Sequence, residues 1–151
     1  MFTKEEASKI RQTFWTKFGQ YMQPILSAEG VKTNWINYKT GVPGIYFKMD
    51  ADKSQASIGI VFTEKNTAEQ ALKFEKLQQL KTMLRNALGE DWDWEPIVQD
   101  DFGKTVSKVS KTITGVNIFR KEDWPTLISF FKQRIVALDA FWNEAKYGFE
   151  T

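Results

Sequence analysis

The chain has 151 residues, 42% of them hydrophobic and 15% aromatic, which is the length and apolar content of one globular domain with a bulky core. Its 21 basic and 19 acidic residues nearly balance, so a net charge of +2 singles out no partner. With no His and no Cys, Ser/His/Asp and Cys/His catalysis, a thiolate nucleophile and the two commonest zinc ligands are all excluded. The lack of a disulfide framework fits a reducing compartment. The opening Met1-Phe2-Thr3-Lys4-Glu5-Glu6 holds no apolar signal core, and no stretch approaches about 18 consecutive apolar residues. A cytoplasmic chain, off the membrane and forming one domain over 1–151, is expected.

In chain order, Thr3 and Glu6 have capping-box spacing, and Ala7, Ile10, Phe14, Phe18 and Tyr21 recur at helical steps until Pro24. Trp35 to Tyr38 reads as a short strand before the turn Gly41-Val42-Pro43-Gly44. A hairpin follows, with strands at 45–50 and 56–63 around the polar connection 51–55; Ala56, Ile58, Ile60 and Phe62 alternate with a period of two. Thr67 and Gln70 repeat the capping-box spacing. Ala71, Phe74, Leu77, Leu80, Leu84 and Leu88 then mark one apolar helical stripe closed by Gly89. Trp92, Trp94 and Ile97, with Pro96 among them, suggest an edge strand. The run 105–113 suggests its partner, with a bulge where Val106 to Val109 breaks alternation. From Glu122 a last helix starts, with Pro125 in its first turn and a wide face of Leu127, Phe131, Leu138, Phe141, Trp142 and Ala145. The expected fold is α+β: a mainly antiparallel sheet of about five strands with three helices packed over it, in the order α-β-β-β-α-β-β-α.

The strings Phe14-Trp15, Asn34-Trp35-Ile36, Tyr46 to Ile60 and Glu122-Asp123-Trp124-Pro125, taken in order, resemble an uncharacterised bacterial family, domain of unknown function 4268, over nearly the whole chain. The resemblance implies a fold and carries no catalytic residues over. Longer members look like a nuclease-like domain followed by this one, which implies an association with nucleic-acid processing. A nuclease centre needs an acidic residue on one strand and Glu/Asp-x-Lys on the next. The triplet here, Glu144-Ala145-Lys146, falls in a predicted helix, which argues against hydrolysis.

Three groups of residues compete as sites. Trp35, Tyr38, Lys39, Tyr46 and Lys48 interleave aromatic and basic groups around a glycine turn, where bases could stack while ammonium groups track phosphates. Lys104, Lys108 and Lys111 would extend that stripe. Asp91, Asp93 and Glu95 alternate along the edge strand and would share a face, the arrangement a carboxylate-bound metal in a hydrolase or nuclease relative would use. Trp92 and Trp94 would lie on the opposite face, under a helix or at a protein interface. Asp50 and Asp52 fit a hairpin turn better than a metal site. Asp101-Phe102-Gly103 lacks every companion of a kinase metal triad, and Gly41 and Gly44 make no phosphate loop, so no cofactor is expected. The leading expectation is a non-enzymatic binding domain with a nucleic-acid or protein partner, a homodimer being one form of the latter.

Overall fold

A computed structural model describes residues 2–150; Met1 and Thr151 lie outside the described residues. The Thr3 hydroxyl accepts the Glu6 N–H at 3.1 Å, and the Glu6 carboxylate accepts the Thr3 N–H at 3.1 Å. Two donors with no partner inside the helix are thereby satisfied. From this cap α1 runs Lys4–Met22 and buries Phe14, Phe18 and Met22. A long loop leads to the hairpin of β1 (Ile45–Ala51) and β2 (Gln55–Phe62). Asp52 shapes its turn by accepting the N–H groups of Ser54 and Gln55 at 2.8 and 2.9 Å. Next come α2 (Thr67–Gln79), α3 (Lys81–Leu88), β3 (Asp93–Gln99), β4 (Thr105–Thr114) and α4 (Trp124–Ala145). The strands form one antiparallel sheet in the order β1-β2-β4-β3, so β1 and β3 are its edges.

The fold is α+β, with four strands and four helices among the described residues in place of about five strands and three helices. The strand expected at Trp35 to Tyr38 is a turn. The Asn34 side chain accepts the N–H groups of Ile36 and Asn37 at 3.2 and 3.0 Å, bending the backbone away from any ladder. The single helix expected from Thr67 to Leu88 breaks at Leu80, whose backbone leaves the helical region at φ −101°, ψ 15°. The change of direction lets α2 pack over β2 and β4 while α3 packs on α4. Gly89 closes α3 in the left-handed conformation at φ 72°.

The bulge also moves, from β4 to the edge strand, where the register of β3 against β4 shifts between Glu95 and Val98. Pro96 has no N–H to offer the ladder, so the irregularity falls where a donor is missing. The freed Pro96 carbonyl accepts the Ser107 hydroxyl at 2.6 Å, and Ser107 in turn accepts the Gln70 amide at 3.2 Å. Gln70, which is only 4% exposed, therefore serves the sheet and not a capping box. The N-cap of α2 is Asn66, whose side chain accepts from Ala68 and Glu69 at 2.9 and 3.3 Å.

Alternation sorts the sheet into two faces. Ile45, Phe47, Met49 and Ala51 stand opposite Phe62, Ile60, Ile58 and Ala56 and face the helices. Val109 and Trp94 continue that row across β4 and β3. α4 supplies Leu127, Phe131, Ile135, Leu138, Phe141 and Trp142 to the same cluster, and it is the most buried helix, as its wide apolar face requires. Full burial of each such side chain stabilises the fold by about 1.5–3 kcal/mol. Tyr46, Lys48 and Asp50 project from the opposite face of β1.

Candidate functional site

The segment between α1 and β1 has no regular structure, yet it is pinned at four points. The Trp35 indole donates to the Ile25 carbonyl at 3.0 Å. The Tyr38 hydroxyl donates to Asp139 Oδ1 at 2.5 Å, and Asp139 Oδ2 accepts the Ala28 N–H at 2.7 Å. The Trp142 indole donates to the Thr40 carbonyl at 2.7 Å, and the Thr40 hydroxyl donates to the Ile45 carbonyl at 2.7 Å. Asp139 is 5% exposed, and each of its two carboxylate oxygens accepts one of these directed donors. Burial first, then the hydrogen bond to Asp139 and the charges of Asp139 and Glu29, push the Tyr38 phenol far above its ordinary pKa.

These ties lay the Tyr38 ring on Phe47, with centroids 4.9 Å apart and planes 19° apart. Between the loop and the free edge of β1 runs a groove of about 560 Å³, lined by Trp15, Ile36, Tyr38 and Lys39 from the loop and α1 and by Tyr46, Phe47, Lys48 and Met49 from the strand. Lys48 Nζ lies 5.8 Å from the centroid of the Tyr46 ring. Behind the loop a second, more polar cleft of about 280 Å³ holds Asn34, Asp139, Asn143 and Lys146 and shares Asn37, Tyr38 and Lys39 with the groove. Neither Lys39 nor Lys48 makes an ion pair among the described residues.

Of the five residues expected on one surface, Tyr38, Lys39, Tyr46 and Lys48 meet along the groove. Trp35 does not: it is 2% exposed, a core residue anchored by its indole N–H, and offers no ring for stacking. The lysine stripe also fails to form. In the β2–β4 register Lys108 lies opposite Val61, on the face away from the helices, whereas Lys111 lies opposite Ile58, on the helix side.

The acidic trio does not converge. Asp91 precedes β3 and pairs with Arg85 at 2.8 Å, while Glu95 faces Lys108 at 3.9 Å. Among the described residues no group of three His, Cys, Asp or Glu side chains could hold a metal ion. Trp94 packs edge-on against Phe74 and Trp92 is buried, its indole N–H on Glu90 at 2.8 Å. Lys146 bonds Glu29 at 2.8 Å.

Sequence reasoning missed Asp139, Trp15 and Ile36. Asp139 left a trace, a lone charge inside the apolar run Leu138-Asp139-Ala140-Phe141-Trp142. Trp15 and Ile36 stand out only within the strings that carry the family resemblance, since nothing local shows that they end at a sheet edge.

Helices layered on one face of a four-stranded antiparallel sheet with a grooved free edge define a two-layer α+β scaffold. The chain belongs to the family described as domain of unknown function DUF4268, whose profile matches residues 10–146. Neither the curated proteins nor the solved structures contain a match to it. No helix among the described residues is long and apolar enough to cross a membrane.

Proposed function

We propose that this chain is a non-enzymatic binding domain that takes its ligand in the groove along β1. The observation that carries the reading is the gathering of Tyr38, Lys39, Tyr46 and Lys48, from two separate segments, onto one groove with aromatic walls and two cations that make no ion pair among the described residues. Such a groove favours an extended anionic ligand: rings and aliphatic stems cover its apolar parts, and ammonium groups meet its charges. A chain without cysteine suits the cytoplasm, where we place it. A second reading, single-stranded nucleic acid, is favoured by the exposed Tyr46 ring beside Lys48, and would set the domain beside nucleic-acid-processing machinery.

The test is to titrate the chain with a single-stranded oligonucleotide and with polyglutamate, and to repeat both with Tyr46→Ala and Lys48→Glu. Saturable binding of either polyanion that weakens about 10-fold in both variants is expected, the loss of one well-packed or charge-paired contact. Binding untouched by both substitutions, or no binding, overturns the reading.

A further inference from the structure

The backbone at the floor of the groove carries information that the side chains do not. Thr63 donates to the Gly44 carbonyl at 2.8 Å and Asp52 to the Gln55 carbonyl at 2.9 Å, both in the β1–β2 register. Hydrogen-bonded pairs alternate along an antiparallel ladder, so Tyr46, Lys48 and Asp50 also bond to β2, while Ile45, Phe47, Met49 and Ala51 turn their N–H and C=O groups to the free edge. The two ends of that edge are closed. The Ile45 N–H donates to the Val42 carbonyl at 3.2 Å, the Ile45 carbonyl accepts from Thr40, and the Ala51 N–H donates to Asp50 Oδ1 at 2.9 Å. Between them, the outward N–H and C=O groups of Phe47 and Met49 have no partner among the described residues. Phe47 and Met49 line the groove, and backbone polar groups in folded proteins are nearly always paired.

We infer that this edge accepts an extended polypeptide segment as a fifth strand, and that the segment alternates acidic with apolar side chains. The inference rests on the groove reading above and names its ligand. An extended polypeptide supplies N–H donors and C=O acceptors together at the two-residue repeat that Phe47 and Met49 present; a nucleic-acid backbone carries no N–H group and does not reproduce that alternation. The alternation follows from the two walls. Side chains of an added strand on the helix side meet Trp15, Ile36 and Tyr38, and those on the other side meet Tyr46 and Lys48. Asp50 follows on the outer side, where the closed Ala51 N–H already ends the edge, so the acidic pattern stops before it.

A second copy of the chain fits less well. Two-fold pairing that uses both free residues sets Phe47 opposite Met49 and puts Lys48 of one copy directly opposite Lys48 of the other, a like-charge pair at the closest approach of two strands. Centring the two-fold on Phe47 or on Met49 spends a bond on Ile45 or Ala51, whose N–H groups are already engaged.

The experiment follows amide hydrogen exchange of the full chain by NMR, alone and with a short blocked peptide alternating glutamate and valine. The peptide is expected to bind, to slow exchange at the Phe47 and Met49 amides at least ~10-fold, and to leave the Tyr46 and Lys48 amides unchanged, since β2 already holds them. Lys48→Glu should weaken binding about 10-fold, and N-methylating alternate peptide amides should abolish it. Binding without protection of Phe47 and Met49 overturns strand addition while leaving the groove reading intact. So does binding of an oligonucleotide but not the peptide, and so does protection that rises with protein concentration in the absence of peptide, which marks self-pairing. Failure of the peptide alone overturns strand addition, and failure of peptide, oligonucleotide and polyglutamate alike overturns both readings.

Discussion

Asp139 shows how one residue can organise a segment that has no regular structure. Its carboxylate joins Tyr38 and Ala28, more than a hundred positions away, to the middle of α4, and in doing so holds the wall of the groove. The Tyr38 phenol is harder to ionise in the folded protein than in the unfolded chain, chiefly because it is buried and then because it donates to Asp139. As pH rises past the ordinary phenol value of 10.0, the unfolded chain releases that proton first. The stabilisation is therefore complete below that pH and is lost above it. Urea midpoints against pH should fall on the alkaline side in the wild type and fall less steeply in Tyr38→Phe, which should also cost about 1–3 kcal/mol near neutrality by leaving Asp139 Oδ1 unpaired. An equally steep alkaline limb in the variant would mean that Tyr38 is not bonded to Asp139.

Elements here start and stop for local reasons, but sequence spacing alone misplaces one of those reasons. Thr67 and Gln70 imitate a capping box because the spacing matches, while Asn66, one residue earlier, does the capping and Gln70 reaches across to Ser107. The two assignments differ in a measurable way. Asn66→Ala should lower stability by about 1 kcal/mol, the usual cost of losing such a cap. Thr67→Ala should stay within ~0.5 kcal/mol, as surface changes without a special role do. Equilibrium urea unfolding of both variants decides the matter; a larger loss for Thr67→Ala would restore the capping box. Gly59 makes a parallel point: a Cβ there would stand 2.9 Å from both the Ser110 Cβ and the Val109 carbonyl, so strand pairing with β4 is what demands glycine.

Across the whole molecule one hydrophobic cluster joins α1, α4, the inner face of the sheet and the anchored loop, with Trp35, Trp124 and Trp142 each holding a backbone carbonyl through the indole N–H. A core shared by every layer leaves no element free to melt alone. Far-UV circular dichroism and tryptophan fluorescence should therefore report the same unfolding midpoint in urea. Separate midpoints would show that the α1–α4 layer parts from the sheet before the rest unfolds.

The amino-acid sequence by itself determined what depends on neighbours along the chain: the capping box at Thr3, the hairpin with alternating Ala56, Ile58, Ile60 and Phe62, the left-handed stop at Gly89, the edge position of Pro96 and the buried last helix. It also brought Tyr38, Lys39, Tyr46 and Lys48 forward as a group. Only the tertiary structure decided that Trp35 belongs to the core, that Asp91, Asp93 and Glu95 do not assemble and that Lys108 and Lys111 face apart. The same is true of the unpaired edge at Phe47 and Met49. Periodicity along a chain says which residues share a face, whereas strand order, register and long-range hydrogen bonds decide what that face meets.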